Sequence, residues 1–260
     1  MTDEPRITML TFAAHLRDVL GENYSSVILF GSAVLDDFTP GKGDLDFMAA
    51  VRKGISEDSC ERLFGLHDRM RAGELGSLAK QLEGTYYPPA ILCDPLHAQA
   101  HGCYIGTGRK GWRRVNTCQN SMMDFAIIRR YGLVCDGKDL KPLIYDPSHE
   151  ELLHEIRCQL TELIARQYAT LSIDFALAIF QWGARALCYA HTGELLSKSR
   201  AADWYAAEYP SERWSSMLQH IRSFRHPLTE QERAQIDPAI NRELSAFLSY
   251  LATLLLPIEG

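Results

Sequence analysis

Apolar side chains in the first part of the chain follow a helical pattern and then an extended one. They recur at helical spacing through Met9–Leu20, and Gly21 and Asn23 follow as helix-ending residues. Two short runs with the composition of strands come next, Ser26–Phe30 and Asp44–Val51. The pattern predicts one helix, then two strands joined by a glycine-containing loop.

The chain between the second strand and residue 147 has a mixed pattern. Residues 58–71 return to helical spacing, and Leu82–Leu92 has an extended pattern with two prolines near its middle. Because proline cannot donate to a sheet ladder, the prolines predict an edge strand or a bent one. The glycine-rich and arginine-rich residues 101–120 predict irregular structure, and a helix is expected to begin near Met122.

Three amphipathic helices dominate the second half of the chain. Apolar residues recur at helical spacing in residues 152–164, 175–189 and 244–255. We therefore predict an α+β fold with two domains. Residues 1–147 would form a mixed sheet with flanking helices, and residues 148–260 an all-helical bundle.

The balance of charged residues bears on the partners of the protein. The chain has 27 basic and 33 acidic residues, and its formal net charge is -6. A surface that neutralises many phosphates normally needs an excess of lysine and arginine, so we expect no nucleic-acid partner. The acidic balance suits a cationic small molecule, although it is also ordinary for a soluble protein.

The cysteines and the termini indicate the compartment. The seven cysteines are odd in number and widely spaced, which favours neither a thiolate zinc site nor a compact disulfide framework. The N terminus lacks a long apolar core, and serine, tyrosine and threonine interrupt the apolar residues 244–256. We therefore expect a cytoplasmic protein with reduced thiols, no signal peptide and no membrane span.

Two carboxylates on the second strand are the first candidates for chemistry. Side chains alternate across a strand, so Asp44 and Asp46 project from the same face and lie close together. Carboxylates this close repel one another unless a cation lies between them. Magnesium, which binds carboxylate oxygens and substrate phosphates together, is the expected ion.

A Gly-Ser step follows the first strand and would serve the phosphate end of the same site. Gly31 lets the backbone approach a phosphate closely, Ser32 can add a hydroxyl, and a following helix would direct its N–H groups at the anion. Each pattern alone is common by chance, because Asp-x-Asp is frequent and Gly-Ser is more often a simple turn.

Joined in this order, the two patterns resemble the motif of the nucleotidyltransferase superfamily whose fold is similar to the palm of DNA polymerase β. The order is strand, Gly-Ser, loop, and then Gly-Asp-x-Asp on a new strand. That superfamily normally has a third acidic residue on a neighbouring strand. Glu83 falls where the next extended segment is predicted.

More narrowly, the chain resembles the aminoglycoside nucleotidyltransferases that adenylylate streptomycin and spectinomycin, over nearly its whole length. The segments that carry the resemblance are Gly31–Val34, Asp44–Asp46, Leu82–Thr85, Arg185–Tyr189, Thr192–Gly193 and Lys198–Trp204. The resemblance implies that Glu83 is the catalytic base and a third metal ligand. It also implies that Arg185 and Lys198 bind the nucleotide phosphates.

The resemblance implies the reaction as well. ATP would be the co-substrate, two magnesium ions would assist, and AMP would pass to a hydroxyl of a cationic aminoglycoside or aminocyclitol with release of pyrophosphate. The tryptophan and the aspartate that resemble streptomycin-binding determinants in the dual-specificity members of the family cannot be placed at matching positions just before Arg185. Spectinomycin is therefore favoured over streptomycin, and we expect a monomer or a weak dimer.

Three residues are weaker candidates for binding the acceptor. Asp124 and Asp174 could meet a cationic amine, although an aspartate at a helix start is commonly a cap or a dipole partner. Trp112 could pack against a sugar ring, although aromatic residues more often serve cores and interfaces.

Two other functions fit the same motif. The first is a nucleotidyltransferase that modifies a protein or a tRNA, which the net charge and the helical second half disfavour. The second is a module that binds nucleotide without turnover, which the presence of all three carboxylates disfavours.

Overall fold

The computed structural model describes residues 3–106, 113–166, 172–225, 228–236 and 240–256. The chain divides into two units, Met1–Pro147 and Ser148–Gly260. Trp112 lies outside the described residues.

The N-terminal unit is built on a six-stranded sheet with the strand order β5-β4-β3-β2-β1-β6. The strands are β1 (Tyr24–Leu29), β2 (Leu45–Val51), β3 (Leu82–Tyr87), β4 (Gly102–Ile105), β5 (Arg113–Val115) and β6 (Leu133–Gly137). Only the β2–β3 pair is parallel, and the other four pairs are antiparallel. The predicted mixed sheet is confirmed.

One face of this sheet carries the main core of the unit, which includes residues of α1 (Asp3–Leu20) and α2 (Glu57–Ala72). The rings of Phe12 on α1 and Phe47 on β2 meet edge to face, with centroids 4.8 Å apart. Because apolar residues alternate with polar ones along the first residues of β2 and β3, their other face is left for polar side chains.

A buried polar pair lies within that core. His67 Nε2 on α2 and the Tyr86 hydroxyl on β3 are 2.7 Å apart, and both side chains are almost fully buried. Burial disfavours the charged imidazolium and lowers the pKa of His67 from 6.5 to about 3. The histidine is therefore neutral at physiological pH.

Two short helices complete the N-terminal unit. The helix α3 (Pro89–Cys93) contacts β2 and β3, and α4 (Met122–Tyr131) contacts the 3₁₀ turn Gly31–Ala33 after β1. Ser121 caps α4 in a capping box, as its sequence position suggests.

Three expectations about this unit were wrong. Residues 101–120 are not simply irregular, since β4 and β5 lie within them. The strand β3 is central rather than at an edge, because the strand ends at Tyr87 and both prolines follow it. The sequence pattern also missed β6, a short, half-buried strand at the sheet edge.

The C-terminal unit is helical, as predicted, and confirms the α+β class. Its helices within the described residues are α5 (His149–Ala165), α6 (Ile173–Thr192), α7 (Lys198–Glu208), α8 (Ser215–Ile221), α9 (Glu230–Gln235) and α10 (Ile240–Leu255). The central helix α6 packs on α10, where Phe180 and Phe247 stack with ring centroids 4.6 Å apart. No helix in the described ranges is long and apolar enough to cross a membrane.

The first prediction concerns His67. Between its unfolded pKa of 6.5 and its folded pKa of about 3, the unfolded chain binds one more proton than the folded one, so stability falls as pH falls. From pH 7.5 to 5.5 this proton should cost about 1.4 kcal/mol. His67→Gln should lose that much less stability over the interval, measured by urea unfolding at both pH values. Identical losses in both proteins would contradict the assigned burial effect.

Candidate active site

The end of β1 approaches β2 where the Gly-Ser step meets the acidic pair. The Phe30 amide donates to the Asp46 carbonyl at 3.0 Å, and the chain then turns into the 3₁₀ segment Gly31–Ala33. Gly31 has a φ of +67°, and a Cβ at this position would clash with the Asp46 carboxylate. Only glycine therefore fits here without displacing that side chain.

The Gly-Ser step does not begin the α-helix that was expected after it. The segment is a single 3₁₀ turn of three residues, Gly31–Ala33. It is too short to build a helix dipole, so any phosphate contact here depends on the individual groups of Gly31 and Ser32.

Asp44 and Asp46 flank the first residue of β2. Leu45 points into the core and is fully buried, whereas both aspartates are half-buried. The alternation predicted from the sequence places the two carboxylates on the face of the sheet opposite the main core.

Glu83 joins them through the parallel pairing of β2 and β3. Asp46 and Glu83 are direct register partners, and Leu45 pairs in the same way with Leu82. Side chains of paired residues project to the same face of a sheet. The structure thus places Glu83 beside Asp46, on the same half-buried surface.

Tyr104 on β4 contacts Glu83 directly. Its hydroxyl donates to Glu83 Oε1 at 2.6 Å, and the guanidinium of Arg113 lies 5.2 Å from the centre of the tyrosine ring. Burial, and then the hydrogen bond to Glu83, raise the pKa of Tyr104 well above its usual value. The tyrosine is therefore a proton-bearing donor throughout the physiological range.

The acidic face has the chemistry of a magnesium site that is completed by substrate. Magnesium is usually held by one or two carboxylates together with phosphates of the substrate. Asp44 and Asp46 offer such a pair beside the close backbone approach at Gly31. Within the described part of the chain, no three His, Cys, Asp or Glu side chains are grouped as a metal site made by protein alone.

Gln81 holds the loop that leads into Asp44. Its amide nitrogen donates to the Gly43 carbonyl at 2.7 Å, and its amide oxygen accepts from the Gly41 N–H at 2.8 Å. Since Gln81 immediately precedes β3, one side chain ties the end of the loop to the strand that carries Glu83.

Asp124 has a local structural role. Its backbone N–H donates to Ser121 Oγ at 3.1 Å, and its Oδ2 accepts from the Ser121 N–H, also at 3.1 Å. The Asn120 amide also reaches Asp124 Oδ2 at 3.4 Å, and the Asn120 oxygen accepts from buried Thr85. The alternative of a helix cap therefore accounts for this residue, and its contact with an acceptor stays a prediction.

Asp174, the other acidic candidate, lies in the first turn of α6. Its Oδ2 accepts from Arg233 Nη2 at 2.8 Å, which forms an ion pair within the C-terminal unit. This pairing offsets negative charge that a cationic acceptor would otherwise meet.

Arg185 and Lys198 lie on consecutive helices of the C-terminal unit. Arg185 on α6 donates through Nε to the Leu196 carbonyl at 3.0 Å, and Lys198 is the first residue of α7, after the cap Ser197. Both side chains are half-buried. The hydrogen bond from Arg185 to Leu196 holds α6 against the segment that leads into Lys198, so both residues belong to one connected part of the C-terminal unit.

Sequence reasoning missed Gln81, Tyr104 and Arg113. A usable signal exists for Tyr104, because residues 102–106 alternate in the manner of a strand, with Cys103 and Ile105 fully buried. No such signal exists for Gln81, whose role depends on a fold contact across about forty residues of chain.

Among protein families, a match is found for the C-terminal unit. Residues 148–252 match the family described as aminoglycoside adenylyltransferase, C-terminal domain. None of the curated proteins matches the chain.

The whole chain is similar to one solved structure that includes ligands. This is the crystal structure of the spectinomycin adenyltransferase AAD(9) from Enterococcus faecialis with ATP and spectinomycin. The similarity covers 96% of this chain and 98% of that one, with 19% sequence identity and a TM-score of 0.68. At this identity the match establishes a shared fold.

The second prediction tests the close contact at Gly31. In Gly31→Ala the new methyl group should turn the Asp46 carboxylate away from its place beside the backbone. We expect at least a tenfold weaker affinity for magnesium-ATP, equal to about 1.4 kcal/mol. Isothermal titration calorimetry with magnesium-ATP measures this directly.

Gly21→Ala is the matched control. Gly21 also has a positive φ, +53°, but a Cβ there would meet nothing within 4 Å. Both variants should lose a similar stability, about 1–2 kcal/mol from left-handed strain, and only Gly31→Ala should lose affinity. Equal affinities in the two variants would show that the position of Asp46 does not depend on Gly31.

Proposed function

We propose that the protein transfers AMP from ATP to a hydroxyl of an aminoglycoside or aminocyclitol antibiotic, because residues 148–252 match the family model of the aminoglycoside adenylyltransferase C-terminal domain. The observation that carries the proposal is the pairing of Asp46 with Glu83, with Gly31 packed against Asp46. This arrangement supplies acidic ligands and a close backbone approach at one place.

Asp44 and Asp46 are the proposed magnesium ligands, and Glu83 would add a third carboxylate. We propose two ions, as in the enzymes that the motif resembles. When bound, magnesium offsets the charge of the phosphates and of the departing pyrophosphate. The protein contributes by holding carboxylates whose mutual repulsion the ions relieve.

Glu83 is the proposed general base. It takes the proton of the acceptor hydroxyl as the hydroxyl oxygen forms a bond to the α-phosphorus of ATP. The bond between the α-phosphorus and the bridging oxygen breaks, and this oxygen leaves with pyrophosphate. Glu83 is half-buried beside Asp46, which supports this role because a base must lie close to the hydroxyl that it deprotonates.

The phosphates of ATP are the proposed ligands of Gly31, Ser32, Arg185 and Lys198. Gly31 has no side chain to keep a phosphate away from its backbone, and Ser32 is half-buried beside it. Arg185 and Lys198 are assigned by the family resemblance, and cationic side chains suit a triphosphate. Together they would stabilise the charge that develops on pyrophosphate.

Spectinomycin is the acceptor that we favour over streptomycin. The relative with the same fold was crystallised with spectinomycin, and the net charge of -6 suits a cationic acceptor. Asp124, Asp174 and Trp112 are the proposed contacts with the acceptor. We further propose that the protein is cytoplasmic, because all seven cysteines are free thiols. A monomer or a weak dimer is the proposed oligomeric state.

The test of the reaction is direct. The protein is incubated with ATP, magnesium and a panel that includes spectinomycin, streptomycin and kanamycin, and mass spectrometry detects an AMP adduct. An adduct on spectinomycin is expected. No adduct on any member would overturn the antibiotic assignment, and an adduct on streptomycin alone would reverse the stated preference.

The third prediction separates the base from the metal ligands. Glu83→Gln should keep magnesium-ATP affinity within about threefold, because Asp44 and Asp46 still bind the ion, but should lower kcat by about 10²–10⁴, because the proton acceptor is lost. Asp46→Asn should lower both kcat and the affinity for magnesium-ATP. Steady-state pyrophosphate release and calorimetry give the two quantities.

Asp94→Asn is the control for loss of one acidic charge. Asp94 is exposed just after α3, and among the contacts described its side chain bonds only to its near neighbour His97. Its kcat should equal that of the wild type. Near-normal pyrophosphate release by Glu83→Gln would remove Glu83 from the role of base.

A further inference from the structure

The hydroxyl of Tyr104 is placed on the oxygen of one particular side chain. Tyr104 and Thr85 are direct partners in the β3–β4 pair, and Glu83 lies two residues before Thr85 on the same face. The tyrosine therefore reaches Glu83 diagonally, with its hydroxyl 2.6 Å from Oε1. A hydroxyl bonded to an ionised carboxylate is among the strong hydrogen bonds of proteins.

The tyrosine is itself held on its far side. Arg113 is the register partner of Tyr104 on β5 and lies over the ring, 5.2 Å from its centre. The Arg113 guanidinium in turn donates to Gln119 Oε1 at 2.6 Å. Gln119 is anchored through its backbone N–H, which donates to the Tyr87 hydroxyl at 2.7 Å. A continuous chain of contacts thus leads from the sheet edge to the carboxylate.

We propose that Tyr104 is a positioning residue that fixes the orientation of the Glu83 carboxylate for proton transfer. This inference rests on the proposed function, in which Glu83 is the base. With Oε1 bonded to Tyr104, rotation of the carboxylate is restricted before it takes the proton from the acceptor hydroxyl. No proton passes to or from Tyr104, whose hydroxyl keeps its hydrogen throughout.

The direction of the hydrogen bond supports this assignment. A carboxylate oxygen can only accept, so the Tyr104 hydroxyl is the donor in its bond to Glu83 Oε1. A tyrosine that only filled space would need no bond to the carboxylate, whereas this one has its polar end on Glu83.

The test begins with Tyr104→Phe, which removes only the hydroxyl. We expect kcat for AMP transfer to fall about tenfold, while KM for ATP and for the acceptor stays within about twofold, because the loss concerns alignment in the transition state. A kcat within twofold of the wild type would overturn the inference.

Tyr86→Phe is the matched control. It removes a buried hydroxyl from the same strand as Glu83, but from the core face, where Tyr86 meets His67. Its kcat should stay close to that of the wild type. A tenfold loss here as well would mean that a general loosening of the sheet, and not the bond to Glu83, explains Tyr104→Phe.

A double substitution distinguishes positioning from a structural effect. In a Glu83→Gln background, Tyr104→Phe should cause no further tenfold loss, since the carboxylate that it orients is already gone. An equal further loss would assign Tyr104 a role independent of Glu83. If Glu83→Gln itself kept full activity, the proposed function would fail at the base rather than at Tyr104.

A structural readout needs no turnover. In crystals of Tyr104→Phe, Glu83 should occupy more than one rotamer, whereas it should occupy one in the wild-type protein. A single, unchanged rotamer in both would overturn the inference, whatever acceptor the enzyme uses.

Discussion

The parallel pairing of β2 with β3 is the constraint on which the candidate site depends. Two parallel neighbours cannot be joined by a tight turn, so the chain must cross over before it forms β3. Here the crossover contains α2, whose buried face helps to build the core. The same step that completes the core therefore sets Glu83 level with Asp46, and a register shift by one residue would turn Glu83 into the core.

The two faces of the sheet give polar side chains different environments. Along β3, Tyr86 meets His67 in a dry environment that keeps the imidazole neutral, whereas Glu83 meets Tyr104 in a half-buried one. Each tyrosine hydroxyl satisfies a polar partner, but only Tyr104 does so beside the half-buried carboxylates. The alternation of a single strand is enough to separate these environments.

Part of the fold and of the candidate site could be predicted because the signals are local in sequence. The paired aspartates and the Gly-Ser step lie within sixteen residues, and the spacing of apolar residues predicts α5, α6 and α10. The edge strands β5 and β6 have three and five residues, too few for a periodic signal. Tyr104 escaped attention because its partner is fixed by strand register, and register is a property of the folded sheet.

The clamp by Gln81 has a consequence for how the loop before Asp44 can vary. Its amide fixes Gly41 and Gly43, so the position of the aspartate is set by the last residues of the loop and not by the residues before them. Insertions or deletions among residues 35–37, between the core contacts of Val34 and Phe38, should consequently be absorbed without moving Asp44 and Asp46. The length and sequence of this short segment can thus vary while the acidic pair stays in place.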